Sequence, residues 1–497
     1  MSWRLLAVAA FVTAGLAGCI EPPATPVTDP ALAPGSLLGT LGIDHLLFAG
    51  KPLWNDPQNT PHPKWGWATL SSPPSGTLPL AWRPINGTPL PDHIQGLKLA
   101  AKSPPEVFAG AGIALFGSIA VVPEDSQMTH IVDISQPLHP RELGQVESHG
   151  RGAAIIAFPD GRLVAASATT PGFDVIDFTD PAHPVVVNQT TVPVNGGHKL
   201  GVVPGTPILY NAGSGGGDPG VAGQPHPLYG PGLCNADISQ CTGYTEIYNL
   251  TDPAHPKRVQ TFQNGLACHH IFFWNAPDGS RQRAVCAGIQ YTQLWDTADP
   301  EHPKVLVSLP VHTGVPGTPS QMASVAVFSH SAGLNTKGNI LYVGDENMGG
   351  GLPPGCLAGT ATPSEAPFTG TPVPAGGTDA GTPVGATWFY DVSDEQSPRL
   401  LGYFAPPRDA GHNTERSCTT HHGRIVPDKE GRDLLAMSYY QDGVILLDFT
   451  GIDAAAGVLP KVVDEFADHS DTWETWYYDG YLFTGDLARG MDVLTFR

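Results

Sequence analysis

Histidine is the residue whose placement in this chain most invites chemistry. Nineteen occur, and four of them stand six residues ahead of a turn: His198 before Pro204, His270 before Ala276, His330 before Thr336 and His422 before Asp428. His269 and His421 extend two of these into HH pairs, and His149 and His469 occupy looser equivalents. Neutral imidazole is the commonest transition-metal ligand, so several converging from separate segments could hold Zn, Cu or Fe. An ion with an open position would then polarise a substrate or activate water or oxygen. Glu346, Glu415 and Glu474, with Asp345 and Asp486, are the acids nearest these histidines in the pattern. They could ligate, orient an imidazole or act as a general base, although a lone acid at a strand end is more often simply solvated. Tyr439, Tyr440, Trp473, Trp476 and Tyr477 could wall an apolar ligand or serve packing alone.

Converging side chains need a scaffold that brings distant segments together, and the chain repeats one. An alternating apolar strand ends in Asp, a turn rich in Asp-Pro and His-Pro follows, and a second alternating strand leaves it. The unit is cleanest in FDVIDFTDPAHPVVVNQT from Phe173 to Thr190, and copies begin at Thr129, Thr245, Thr292, Thr387 and Val444. The chain stops inside another at Met491. The marker position runs Asp133, Asp177, Asn249, Asp296, Asp391, Asp448 and Thr495, in steps of 44, 72, 47, 95, 57 and 47. A basic period in the mid-forties is the length of a four-stranded propeller blade. The expectation is an all-β chain forming a single β-propeller of seven four-stranded blades over 112–497. The seventh blade lacks its last strand, and the N-terminal extension 37–111 is expected to supply it, with Thr77–Ile85 as the candidate.

These copies resemble LVIVD repeats, a propeller-forming family of secreted prokaryotic proteins, over roughly Ile113 to Arg497. The resemblance implies a propeller and an extracytoplasmic location, and no defined activity. This chain departs from the family in placing His139, His183, His255 and His302 in the turns, where surface positions are expected. Among propeller enzymes, the carotenoid-cleaving oxygenases hold iron with four histidines. That is a parallel of architecture only, since none of their sequence motifs occurs here; the selenium-binding, methanethiol-oxidase family is looser still.

The repeat also assigns faces. Links between blades and the loops joining second to third strands lie on one face; the tight turns lie on the other. The insertions 213–243 and 346–386 are of the first kind, and the four histidines at the starts of inner strands share that face. Thr360–Pro383 within the second insertion reads as low-complexity decoration.

Composition fits this organisation. Only 14% of residues are charged, while 59 are Gly and 51 Pro, which suits short strands and tight turns. A net charge of −21 repels phosphate backbones, so no nucleic-acid partner is expected. At the N-terminus Met1–Arg4 and the apolar run Leu5–Ala17 lead into Leu16-Ala17-Gly18-Cys19, which resembles a prokaryotic lipobox. That resemblance implies a signal peptide over 1–18, lipid attachment at Cys19 and a Pro-rich tether over 19–36. Six further cysteines favour disulfides in an exported chain, Cys234–Cys241 being the first expected pair and the other four leaving three connectivities.

No nucleophile elbow, phosphate-cradling Gly loop, zinc CxxC pair or HExxH motif occurs. The functional expectation is an extracytoplasmic, membrane-anchored lipoprotein whose propeller binds a ligand, metal or protein partner on its insertion-bearing face. The partner would be a small molecule or an envelope protein, and the propeller a monomer. The alternative is a His-ligated metal-dependent enzyme, oxidoreductase or hydrolase, with its site at the mouth of the central channel. A purely structural envelope scaffold is a third.

Overall fold

A computed structural model describes residues 94, 97–102, 110, 112–124, 127–158, 160–169, 172–191, 197–213, 245–262, 264, 268–276, 278–288, 291–310, 327–347, 368–370, 385–406, 419–467, 471–487 and 489–496. Seven antiparallel sheets follow one another along the chain, and each is one blade. Within a blade the strands run A to D outward from the axis. In blade one these are Ala114–Phe116, Ile119–Glu124, Met128–Asp133 and Arg141–Glu147.

Blade seven closes the ring. Its strands Thr472–Tyr478, Tyr481–Asp486 and Gly490–Phe496 come from the C-terminus, and the fourth is Leu97–Lys102. The closing strand therefore does come from the segment ahead of the repeats, but Leu97–Lys102 holds the place assigned above to Thr77–Ile85, which lies outside the described residues. Leu97 and Leu99 face the interface with blade six, so this stretch has the period a blade edge needs.

Seven apolar clusters, one per blade interface, hold the described residues together. A strand's period of two explains why one sequence serves two interfaces. In strand B of blade one, Ile119 and Val121 pack against blade two while Ala120 and Val122 pack against blade seven. Strands buried on both faces read as continuous apolar runs for this reason.

The repeat's marker residue has a plain physical role. Oδ1 of Asp133, Asp177, Asn249, Asp296, Asp391 and Asp448 accepts the backbone N–H two residues on, at 2.8 to 3.0 Å. These are Asx turns, which send the chain from strand C into strand D. His183, His255 and His302 pair with Asp180, Asp252 and Asp299 three residues earlier, and these turn histidines, like His139, are exposed. Strand D then carries one extra apolar residue at the same place in all seven blades: Leu143, Val187, Val259, Leu306, Leu401, Val463 and Ala100. Such bulges raise the local twist and blunt the outer edge.

Blade five carries a fifth strand, Phe368–Gly370, paired with Arg399–Ala405. A part of Thr360–Pro383 thus joins the sheet instead of decorating it. Cys268 and Cys286 form a disulfide between strands A and B of blade four, with Cα atoms 5.4 Å apart. Cys234, Cys241, Cys356 and Cys418 lie outside the described residues. No described helix is long and apolar enough to cross a membrane.

Candidate metal centre

The inner strands carry a feature that the period-two reading did not anticipate. In blades three, four, five and seven, strand A breaks register near its start, leaving His198, His269, His330 and Trp473 as the extra residues. In blade six His421 and His422 both bond Ser438 of strand B through their backbones, ahead of the paired stretch Gly423–Val426. Consecutive side chains of a regular strand point to opposite faces. A bulge re-aims one of them, and so both members of each HH pair reach the same cluster.

Five imidazoles from three blades meet there. Ring centroids lie 4.3 Å apart for His269 and His330, 4.0 Å for His330 and His421, 4.8 Å for His330 and His422, and 4.6 Å for His270 and His422. All five are buried. The ligand atoms of His330, His421 and His422 lie within 4.8 Å of one another, and those of His269, His330 and Glu346 form a second such set. Glu346 brings Oε2 to 3.4 Å from His330 Nε2.

Of the four histidines expected to form the ring, His270, His330 and His422 are thus together. The backbone of His198 lies in the equivalent bulge of blade three, and its side chain falls outside the described residues. Counting back from the A–B turn matched His270 to His330, whereas His269 occupies the bulge, because the inner hairpin of blade four runs two residues further past its bulge. His149 does not join: it is exposed at the rim, 3.8 Å from Glu147. His469 and Glu415 lie outside the described residues.

Burial holds His270 well below the usual imidazole range, reinforced by the positive charges of Lys199 and Arg424. His422 is lowered in the same way, by burial first and then by neighbouring histidines. Both rings are therefore neutral at physiological pH, the form that ligates. Nδ1 of each is buried with no hydrogen-bond partner among the described residues.

The surrounding contacts fix the rest. Tyr440 Oη donates to Glu346 Oε1 at 2.6 Å and accepts from Trp473 Nε1 at 3.2 Å. Tyr440 has a φ of 49°, a left-handed conformation uncommon for a tyrosine. Two backbone hydrogen bonds to Thr472 pin it across blades six and seven. The His421 ring stacks on Trp473 with centroids 4.8 Å apart. Asp345 accepts from Trp388 Nε1, and burial raises its pKa well above the usual carboxylate range. Tyr439 and Tyr477 pack in blade interfaces, and Asp486 binds the backbone N–H groups of Asp471 and Arg489, so these three serve the scaffold.

Beneath the histidines lies a buried ion cluster that the sequence did not reveal. Lys199 donates to Glu474 Oε2, which also accepts Ile113 N–H at 3.1 Å. Arg424 Nη2 stands 3.7 Å from Glu474 Oε1 and its guanidinium lies 3.5 Å from the Trp476 ring centroid. Burial pulls the Lys199 pKa below the usual lysine range, against the pull of Glu474. Lys199 and Glu474 each directly follow their strand's bulge residue, in blades three and seven, and their meeting depends on which blades face each other across the channel.

No family model matches the chain, and no curated protein matches it. Among solved structures, the β-propeller domain of Cps50 (Swd1) from Myceliophteria thermophila is 7% identical, with a TM-score of 0.46. The match covers 81% of this chain and 100% of that one. At that level the likeness carries no argument about function; the seven blades rest on the sheets themselves.

Proposed function

We propose that this seven-bladed propeller binds one late first-row transition-metal ion on its insertion-bearing face, through His330, His421 and His422, with His269 and Glu346 completing the set. The observation that carries the reading is the approach of three buried imidazoles from two blades to within 4.8 Å of one another. A metal–nitrogen bond of about 2.0–2.1 Å puts tetrahedral ligand nitrogens about 3.3 Å apart, so binding closes the cluster by roughly 1.5 Å through side-chain rotation. The donors fit such an ion: nitrogen-rich, with one carboxylate and neutral rings, a set suited to Cu, Zn or Fe. The Tyr440–Glu346 contact supplies the outer hydrogen bond that orients a ligand carboxylate.

The same reading places the propeller outside the cytoplasm as an LVIVD-type lipoprotein, held to the membrane by lipidated Cys19 and working as a monomer on a small molecule or envelope partner. The lipobox-like N-terminus supports this, and so does the Cys268–Cys286 disulfide, since such bonds persist in oxidising compartments. The test of the metal is elemental analysis of the purified chain beside its His330→Ala variant.

A second reading, that the bound metal serves catalysis, is favoured by Tyr440. A non-glycine residue in the left-handed region stores strain that a purely structural loop does not require, and here it holds a phenol beside the metal ligands. Turnover that requires the metal and falls in metal-loaded Tyr440→Phe supports this reading; undiminished turnover in that variant removes its basis.

A further inference from the structure

Of the bulged inner strands, that of blade four is crossed by a covalent bond, Cys268–Cys286. The pairing shows what this bond requires. On strand B, Ala284 and Cys286 face blade three, while Val285 and Ala287 face blade five. On strand A, Ile271 pairs with Cys286 and shares its face, and His270 pairs with Ala287. Ahead of His270 the register breaks, so that His269 is extra and Cys268 pairs with Gly288. Side chains alternate with a period of two, which gives Gly288 the face of Cys286. Cys268, opposite Gly288, joins that face and meets Cys286 diagonally, with Cα atoms 5.4 Å apart. In an unbroken register Cys268 would turn to the blade-five side, where it could not reach Cys286. His269 would then turn to blade three, away from the His330 ring that it now meets at 4.3 Å. A slip of one residue exchanges the faces, so the disulfide closes in the bulged register and not in the regular one.

Blade five holds the same bulge by other means. Ser329 and Ser331 flank His330 there; Ser329 shares a 2.6 Å hydrogen bond with Thr292, and Ser331 donates to the carbonyl of His421. The matching residues of blade four are Cys268 and His270. The sulfur of Cys268, a weak acceptor, lies 3.4 Å from Thr245 Oγ1. Nδ1 of His270 is buried with no hydrogen-bond partner among the described residues. The bond between sulfurs thus stands where blade five has its flanking hydrogen bonds.

We infer that the Cys268–Cys286 disulfide completes the metal centre: the oxidised chain presents His269 to His330 and Glu346, and the reduced chain does not. This rests on the metal reading above and adds its regulation, since metal affinity is then set by thiol oxidation. Forming the bond joins the two Sγ atoms, releases two protons and passes two electrons to a disulfide oxidant, which is reduced to two thiols. Both cysteines are fully buried, so the bond is made before the blades close over it and is kept afterwards. The centre is therefore finished only in a compartment where disulfides persist. Coupling is reciprocal: the factor by which the bond raises metal affinity is the factor by which bound metal resists its reduction.

The test is a double-mutant cycle on the full chain, with Cu2+ and Zn2+ as probes and affinity read by competition with a chromogenic chelator. His269→Ala and the pair Cys268→Ala with Cys286→Ala should each weaken metal by about tenfold or more. Combined, they should weaken it by no more than about twofold beyond the cysteine pair alone. Cys268→Val with Cys286→Val keeps the apolar cluster filled without the bond and should match the alanine pair; thermal melts confirm that each variant is folded. A folded disulfide-free variant that binds metal as the parent does overturns the inference. So does undiminished affinity in His269→Ala, or a further loss of about tenfold when His269→Ala is added to the cysteine pair, because His269 would then be in place without the bond. A parent that binds neither ion fails the metal reading and this inference with it, whereas a parent that binds no better than its disulfide-free variants fails this inference alone.

Discussion

Replacing Leu97 by Ala tests how the ring is closed. Leu97 is 1% exposed and lies with Leu434, Leu446, Leu482 and Leu494 in the cluster between blades six and seven. Its strand also ties to blade six directly, since Leu97 N–H donates to Asp464 Oδ2 at 2.5 Å. A buried leucine cut back to alanine costs about 2–5 kcal/mol. Unfolding entropy near the melting point is about 2.1 cal/mol/K per residue, or ~0.8 kcal/mol/K over a propeller of roughly 380 residues, so each kcal/mol moves Tm by about 1.2 °C. Leu97→Ala should therefore melt about 2.5–6 °C below the parent. Lys98→Ala, at the exposed neighbouring position on the same strand, should shift Tm by less than about 1 °C. Differential scanning calorimetry of the two variants beside the parent reads the difference. Equal shifts, or no shift in Leu97→Ala, would refute closure by this strand.

Four further outcomes follow from the same structure. Asp391→Ala loses the turn hydrogen bond to Ser393 and should cost about 1 kcal/mol, whereas Asp391→Asn should cost less, because Asn249 makes the same turn in blade three. The backbone N–H of Ser393 holds the Asp391 carboxyl below its ordinary 3.8; its contribution is complete above that pH and lost as pH falls through the lower folded value, so the gap between parent and Asp391→Ala in thermal melts should close there. Metal affinity, measured by competition with a chromogenic chelator, should stay flat from pH 8 to 6.5 as far as His422 governs it, because burial keeps this ligand unprotonated where ordinary imidazoles begin to charge; a steep fall across that range would contradict the burial argument. Tyr440→Phe removes the bond to Glu346 and should weaken metal about 10–100-fold in the same assay. Replacing Cys268 and Cys286 by Ser opens a loop of sequence separation 18 and should cost about 3 kcal/mol, read as a melting temperature about 4 °C lower.

Much of this architecture was legible because it repeats. The Asp marker is visible in the sequence for the same reason that it works: one Asx turn is needed at each passage from strand C to strand D, so the residue recurs wherever the geometry does. The faces followed from strand order, which placed the turn histidines on the surface and the inner-strand histidines near the axis. The closing strand was missed in detail because Leu97–Lys102 belongs to no repeat and carries no marker. The site was read in part for a different reason. Alternation assigns His269 and His421 to the side opposite their neighbours, and the β-bulges that turn both members of a pair inward leave no mark in residue types. Lys199, Arg424 and Glu474 were beyond a reading by period, since their meeting depends on which blades lie across the channel. The disulfide joined two of four cysteines whose spacing alone favoured no pairing.

The central claim is that the histidine cluster holds a metal ion. Inductively coupled plasma mass spectrometry on the purified soluble chain from Gly35 onward, alone and after reconstitution with Cu, Zn or Fe, measures it most directly. About one equivalent of a single metal is predicted in the parent, falling below a tenth of an equivalent in His330→Ala, whose histidine belongs to both ligand sets. A folded parent that carries no stoichiometric metal and takes none up on reconstitution would contradict the account. So would undiminished metal in His330→Ala.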